Sequence, residues 1–141
     1  GVCTAFPEPA DMKLQADRIA GLNAIARHGS EGVLVNGVEY THSVIVPWMG
    51  AVTAWPVASF EALNDEHFAA LVVHGPELVI FGSGSRLRFP NAMWLRPLIE
   101  RRIGVETMDT AAACRTYNVL LAEGRSVLAA LIFQPPPPLA T

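Results

Sequence analysis

Residues 104–133 read GVETMDTAAACRTYNVLLAEGRSVLAALIF, and this stretch predicts the fold of the second half of the chain. Gly104–Met108 is a β-rich run, and Asp109 after it is a good N-cap for a helix that extends to about Ala122. Gly124 suits the end of that helix, and Ser126–Phe133 is an apolar run of strand length. The apolar face of the helix is predicted to consist of Ala113, Tyr117, Leu120 and Leu121.

The segment before this stretch repeats the same alternation. Glu77–Phe81 is a short apolar run that ends at Gly82-Ser83-Gly84, which is typical of a strand buried on both faces. A helix is predicted over Ala92–Arg102, and Pro97 either kinks it or marks where its straighter part begins. Its inward-facing residues are predicted to be Trp94, Leu95, Leu98 and Ile99. The order strand, helix, strand, helix, strand implies parallel strands joined by crossover helices.

The first half is rich in hairpin signals. Val33–Val35 and Val38–Tyr40 flank Asn36-Gly37, the dipeptide that suits the positive φ values of a type I′ turn. Further short strands are predicted around Ile25, over Ser43–Val46 and over Gly50–Trp55. A helix is predicted to begin after Asn64, with Asp65 and Glu66 in its first turn, a stripe of Phe68, Leu71 and Val72, and a stop at Gly75-Pro76. The sequence therefore predicts an α/β fold in which a β-hairpin first half shares one core with the strands and helices of the second half.

The length of 141 residues fits one domain, which we predict over residues 12–133. Met12 is a plausible start, so residues 1–11 are predicted to be a flexible leader or an expression remnant. Pro135–Pro138 cannot continue a strand, and residues 134–141 are predicted to form a stiff, exposed tail.

Composition limits the classes of function. Hydrophobic residues make up 51% and charged residues 16% of the chain, and the formal net charge is −3. Nucleic-acid binding is not expected, because no block of Lys or Arg is present to neutralise phosphates. The arginines that do cluster form either a local patch or a solvated helix face with a neighbouring loop; they are Arg86, Arg88, Arg96, Arg101 and Arg102.

No run of 18 or more apolar residues occurs, so no transmembrane segment is expected, and the first twenty residues do not form a secretory signal. Cys3 and Cys114 do not make a disulfide framework, and reduced thiols indicate a cytoplasmic protein. Cys114 is interpreted as a buried small hydrophobe, because no histidine is spaced to act as its base. No metal site is predicted, since Cys and His residues lack ligand spacing.

A classical dinucleotide site is not predicted either. Gly82-x-Gly84 follows a buried strand, but Leu87 stands where the third glycine of the fingerprint belongs. No cofactor is therefore expected.

A small-anion site is the remaining candidate for chemistry. If the strands Glu77–Phe81 and Gly104–Met108 are parallel neighbours, the loops that follow them meet at one sheet edge. Helix N-termini and guanidinium groups suit phosphate or carboxylate ligands. The candidate residues are Ser83, Gly84, Arg88, Asp109, Thr110 and Arg115, with Ser85 and Arg86 in the same loop. The negative charge of Asp109 argues against this site, and Arg115 has an alternative structural role as an ion-pair partner of Glu106 or Asp109.

A series of motifs resembles the MTH-type family of domains of unknown function. The longest is Met108-Asp109-Thr110-Ala111-Ala112-Ala113-Cys114-Arg115-Thr116-Tyr117-Asn118. Others, in the same order as in the family, are Pro76-Glu77, Gly82-Ser83-Gly84, Phe89-Pro90, Ile103-Gly104-Val105-Glu106 and Glu123-Gly124-Arg125. The resemblance covers roughly residues 33–133.

The resemblance implies a single-domain α/β fold with a mixed sheet and a hammerhead-like β excursion. Eukaryotic members of the family include a mitochondrial respiratory complex I assembly factor and an adipogenesis-associated protein. The family provides no accepted catalytic residues, so the resemblance assigns none here.

Two functions follow from these observations, and they belong to different classes. The first is a non-enzymatic protein-interaction module that helps to assemble a respiratory complex, with Trp48 and Trp55 as either exposed contact residues or core residues. The second is a protein or enzyme that binds a small anion or metabolite at the carboxyl ends of the strands. A homo-oligomer that buries its own apolar face is a third reading. The sequence favours the non-enzymatic module.

Overall fold

The computed structural model describes residues 21–134 of the chain. The predictions for residues 1–11, for Cys3 and for the proline run lie outside this range, and the predicted domain limits stay predictions. The first half contains β1 (Ile25–His28), β2 (Val33–Val35), β3 (Val38–Tyr40), β4 (Val44–Pro47) and β5 (Thr53–Ala54). The second half contains α1 (Asp65–Ala69), β6 (Leu78–Gly82), α2 (Arg96–Glu100), β7 (Gly104–Met108), α3 (Thr110–Ala122) and β8 (Val127–Leu131). Short 3-10 helices lie at Phe60–Ala62, Val72–His74 and Ala92–Leu95.

The described strands form two sheets. A five-stranded sheet has the order β5-β4-β8-β6-β7, in which β6 pairs in parallel with both β7 and β8. β4 pairs antiparallel with β8 and β5, so the sheet is mixed. A smaller antiparallel sheet, β1-β2-β3, contains the predicted hairpin, and Asn36 and Gly37 have φ values of 53° and 81°. The predicted α/β fold with a mixed sheet is confirmed, and the small sheet corresponds to the expected β excursion.

Two apolar layers cover the faces of the large sheet. On one face, α3 and the small sheet pack against alternate residues of β6 and β8 such as Ile80 and Ala129. On the other face, the segment from residue 55 to residue 72 and α2 pack against Val79 and Phe81. The strands β6 and β8 are buried on both sides, which explains why their sequences are continuously apolar rather than alternating.

The second face has an aromatic centre. The rings of Trp55, Phe68 and Phe81 meet edge to face, with centroid separations between 5.5 and 6.0 Å. Trp55 is only 2% exposed, and its indole N–H donates to the carbonyl of His67 at 3.1 Å. The reading of Trp55 as an exposed contact residue is therefore wrong, and Trp48 is half-buried against the first face.

The crossover between β6 and β7 departs from the predicted single helix. It consists of the 3-10 helix Ala92–Leu95 followed by α2, and Pro97 lies in the first turn of α2, where a missing N–H costs nothing. Each residue of a 3-10 helix turns the chain by about 120°, whereas each residue of an α-helix turns it by about 100°. The side chains that follow the 3-10 turn therefore point in directions that differ from those of the predicted single helix. Leu98 is buried as expected, but Ile99 is 58% exposed, which corrects its predicted inward orientation.

Candidate functional site

A cavity of about 650 Å³ lies at the carboxyl ends of β6 and β7. Its walls are the loop after β6, the start of α3, the end of β8 and the turn Gly29–Ser30 between β1 and β2. Five of the six predicted site residues line it, because the two parallel strands are neighbours as the sequence analysis supposed. These five are Ser83, Gly84, Arg88, Asp109 and Thr110.

Ser83 is 3% exposed, and its hydroxyl holds the loop together. The hydroxyl accepts a hydrogen bond from the N–H of Arg88 at 3.0 Å and donates to the carbonyl of Arg86 at 2.8 Å. The carbonyl of Met108 lies 3.2 Å away as a second acceptor, and the N–H of Ser83 also bonds to it at 2.9 Å. The hydroxyl is therefore occupied by the backbone of its own loop.

The hydroxyl of Thr110 connects the loop to the start of α3 by hydrogen bonds. Its hydroxyl accepts from the N–H of Gly84 at 2.8 Å and donates to the carbonyl of Ile132 at 3.0 Å. Its own N–H donates to the carbonyl of Gly84 at 2.9 Å. The first residue of α3 is thus joined to the ends of both β6 and β8, and its hydroxyl is engaged as well.

Asp109 is the N-cap of α3. Its side chain accepts a hydrogen bond from the N–H of Ala112 at 2.9 Å, as the sequence predicted. This contact satisfies one of the unpaired donors at the helix start, and it also places a carboxylate in the wall of the cavity. A negative charge at this position opposes the binding of an anion.

The two arginines of the loop differ in their partners. Arg88 forms an ion pair with Glu61 at 2.8 Å, and its guanidinium carbon lies 4.2 Å from the centre of the Phe60 ring. The hydrogen bond from Arg88, followed by one from the backbone, holds the pKa of Glu61 below its usual value of 4.5. Arg86 is exposed and makes no ion pair with any residue in the range 21–134.

Arg115 lies apart from this group. It is exposed on α3, does not line the cavity, and forms no ion pair with Glu106 or Asp109. The prediction that it reaches into the site is therefore wrong, and so is its alternative as an ion-pair partner of either carboxylate. Ala113 and Cys114 both face the core, and Arg115 lies on the next position around the helix, which points toward solvent.

Cys114 is fully buried in the first apolar layer, and burial raises the pKa of its thiol to about 12. A thiol that stays protonated at neutral pH is a poor nucleophile, which agrees with its interpretation as a small hydrophobe. Within residues 21–134, no three His, Cys, Asp or Glu side chains gather in a way that could hold a metal ion. None of the helices in this range has the length and apolar character needed to cross a membrane.

A buried polar network was missed by the sequence analysis. The hydroxyl of Tyr117 donates to the carbonyl of Asn23 at 2.8 Å and reaches that of Pro47 at 3.1 Å. The side-chain amide of Asn23, which is 3% exposed, donates to the carbonyls of Pro47 and Gly50 and accepts from Asn36. Polar residues far apart in the chain gave no sequence pattern from which this arrangement could be predicted.

Comparisons with known proteins agree on one group of relatives. The model of a family described as proteins of unknown function (DUF498/DUF598) matches residues 25–132. The chain is 36% identical over 140 residues to NADH dehydrogenase [ubiquinone] 1 alpha subcomplex assembly factor 3 of Bos taurus, covering 92% of this chain and 74% of the relative.

Solved structures extend this similarity to the fold. A crystal structure of a Bordetella parapertussis protein matches with a TM-score of 0.74 and 36% identity, covering 81% of this chain and 98% of the other. The solution structure of a Bordetella pertussis protein described as an Mth938-like domain matches with a TM-score of 0.70 and 28% identity, covering 94% of this chain and 92% of the other.

Proposed function

The chain belongs to the DUF498/DUF598 family, and from this premise we propose that it is a non-enzymatic protein-interaction module that helps to assemble a respiratory, complex I-like enzyme. The bovine relative that carries the name of a complex I assembly factor supports this role. An assembly factor acts by binding other proteins, so the proposal requires a surface suited to a protein partner.

The observation that carries the proposal is the exposed apolar surface of the crossover between β6 and β7. Phe89 is 71% exposed and Met93 is 62% exposed, although both are large apolar residues. Leu87 and Ile99 belong to the same connection and are more than half exposed. Large apolar side chains concentrated in one exposed segment are typical of surfaces that another protein covers. We refer to residues 86–102 as the crossover surface.

The charge of the crossover surface indicates the kind of partner. The chain carries 10 Lys and Arg residues, and half of them lie in this segment: Arg86, Arg88, Arg96, Arg101 and Arg102. The only acidic residue of the segment is Glu100, and it pairs with Arg96 at 3.6 Å. Because the whole chain has a net charge of −3, this segment is a local positive region in an acidic protein. A partner with an acidic and apolar face fits it best.

The cavity offers little support for an enzymatic role. The hydroxyls of Ser83 and Thr110 are engaged by backbone groups, and Arg88 is held by Glu61. Among residues 21–134, Arg86 is the one lining cation without an ion-pair partner, and the carboxylate of Asp109 in the same wall disfavours a bound anion. The alternative function, binding of a small anion or metabolite by Ser83, Gly84, Arg88, Asp109 and Thr110, stays a prediction with Arg86 as its main support.

The test is the co-purification of complex I subunits with the tagged chain expressed in its own cells. We expect the wild-type chain to retain at least one complex I subunit, and the double variant Phe89→Ser and Met93→Ser to retain about tenfold less. The matched control is Val38→Ser with Val119→Ser, which removes apolar residues of 50% and 57% exposure outside the crossover surface. Absence of complex I subunits from the wild-type sample, or equal loss in both double variants, would contradict the proposal.

A further inference from the structure

β7 is an outer strand of the large sheet. It pairs with β6 on one side, and no strand within residues 21–134 pairs with its other side. Gly104 and Glu106 are exposed along it, whereas β6 and β8 are almost entirely buried. An outer strand of five residues without proline presents backbone groups on which another strand can add.

The backbone groups that face outward can be identified from the bonds that face inward. The N–H of Gly104 donates to the carbonyl of Glu77, and the carbonyl of Met108 accepts from the N–H of Ser83. In a parallel strand, the N–H and C=O of one residue point to the same side, and successive residues alternate. The N–H and C=O groups of Val105 and Thr107 therefore point away from the sheet.

Two other sheet edges within residues 21–134 are less suited to accept an added strand. β5, at the opposite side of the large sheet, consists of Thr53 and Ala54 alone, and a very short edge strand is a poor template. On β1, the side chain of Asn118 accepts from the N–H of Ile25 at 2.9 Å and donates to its carbonyl at 2.8 Å. This amide takes the place of a neighbouring strand. Within residues 21–134, no hydrogen bond of this kind reaches the outward N–H and C=O groups of Val105 and Thr107.

Glu106 is the only charged residue of β7, and it determines which strand can add. A second copy of the chain, added antiparallel so that Val105 and Thr107 use all their outward groups, would place Glu106 directly opposite its own copy. Like charges directly opposite destabilise a pair of strands, whereas opposite charges stabilise it. Glu106 forms no ion pair with any residue in the range 21–134, so its charge is available to a partner.

We propose that the outer edge of β7 binds an extended segment of a partner protein, antiparallel to β7, with Lys or Arg opposite Glu106. The inference rests on the proposed function in one respect, which is that the ligand is a protein. Antiparallel addition is the more stable arrangement per residue, and backbone bonds to Val105 and Thr107 provide affinity while Glu106 provides selectivity. The edge thereby favours a cationic strand over a second copy of the chain.

The probe is a pair of synthetic peptides that copy residues 103–109, one with the natural Glu106 and one with Glu106→Lys. The isotope-labelled full chain is titrated with each peptide, and the amide signals of the protein are followed by NMR. We expect the signals of Val105 and Thr107 to shift and their hydrogen exchange to slow, with the lysine peptide binding about fivefold more tightly than the glutamate peptide.

The chain variant Glu106→Lys is expected to reverse this preference, because the glutamate peptide then supplies the opposite charge. Thr107→Pro, which removes an outward N–H and no bond to β6, is expected to abolish binding while the circular dichroism spectrum is kept. Unchanged signals at Val105 and Thr107, or a preference that Glu106→Lys does not reverse, would overturn the inference.

The two proposals fail separately. The peptide titration involves neither Phe89 nor Met93 and no complex I subunit, so its failure leaves the proposed assembly role intact. Loss of the assembly role, in turn, leaves the peptide preference of the β7 edge measurable.

Discussion

The hydroxyl of Tyr117 connects three parts of the chain that are distant in sequence. It lies on α3 and donates to the carbonyl of Asn23, with the carbonyl of Pro47 also within reach, and the residue is completely buried. Buried carbonyls that lose their donor carry the full cost of desolvation, because no water replaces the bond. At the scale of single residues, this hydroxyl is the clearest polar contribution to stability.

We expect Tyr117→Phe to lower the free energy of unfolding by about 1–3 kcal/mol, since the carbonyl of Asn23 is left without its donor. Urea denaturation at neutral pH measures the loss. The matched control is Tyr40→Phe, the same change at a half-buried tyrosine of β3, for which we expect a loss within about 0.5 kcal/mol. Equal losses in the two variants would mean that the Tyr117 hydroxyl contributes little.

The positions of individual site residues could be predicted from the sequence where they follow from the order of the strands. Ser83 and Thr110 lie together because each follows a strand of one parallel pair, which the alternation of strands and helices predicted. The exposure of Arg115 could also have been predicted from the helical period, but the position of Asn23 could not. Its partners are backbone carbonyls on segments whose approach depends on the complete fold.

At the scale of elements, the contact between β6 and the start of α3 depends on a glycine. A Cβ atom at Gly82 would lie 3.0 Å from the Cα of Thr110 and 3.0 Å from a methyl group of Leu131. The Thr110 atom belongs to the backbone of the helix start, so it cannot move without shifting the hydrogen bonds that Thr110 makes with Gly84 and Ile132. The close approach of helix and strand therefore requires glycine at this position.

Gly82→Ala is expected to destabilise the protein by about 1–3 kcal/mol, because the added methyl group overpacks this junction. Gly29→Ala serves as the control, since a Cβ atom there meets nothing within 4 Å and the residue borders the same cavity. We expect the control to be neutral or slightly stabilising. Thermal denaturation followed by circular dichroism compares the two, and a normal melting temperature for Gly82→Ala would contradict the close approach.

Elements with local signals were predicted well, and elements shaped by packing were not. The Asn36-Gly37 turn and the Asn64 cap require only a few neighbouring residues, and both are present as predicted. The crossover after β6 had to accommodate Pro97 and the burial of Leu98 against the sheet, and it became two short helices instead of one. Sequence periodicity assumes a regular helix and cannot foresee that change of pitch.

At the scale of the whole molecule, the sequence motifs are sufficient to identify the family without the topology. The resemblance to MTH-type domains is confirmed by the family match over residues 25–132 together with the similarity to a solved Mth938-like domain. The strand order was not predictable in the same way. The alternation indicated parallel strands, but it did not reveal that β8 inserts between β4 and β6 and so joins the two halves into one sheet.

Within residues 21–134, three groups have a lowered pKa and so link the stability of the molecule to pH: the exposed Glu77 and Glu61 and the partly buried His74. Hydrogen bonds from the N–H of Ser126 and from Arg125 hold the pKa of Glu77 below its usual value of 4.5, and the ion pair with Arg88 does the same for Glu61. Burial lowers the pKa of His74 below 6.5. In each case the unfolded chain binds the proton more readily than the folded chain, so stability is lost as the pH falls.

We therefore expect stability to decrease in two stages, first below about pH 6.5 through His74 and then below about pH 4.5 through Glu77 and Glu61. Urea midpoints measured between pH 3 and pH 8 follow both stages.

His74→Gln should flatten the first stage and leave the second, whereas Glu77→Gln should reduce the second alone. Glu77 is solvent-exposed and bonds to the residues that lead into β8, so its effect on stability should be modest and should weaken as salt is added. The effect of His74 arises from burial, so it should not change with salt. A first stage that shrinks with salt would contradict burial as the cause.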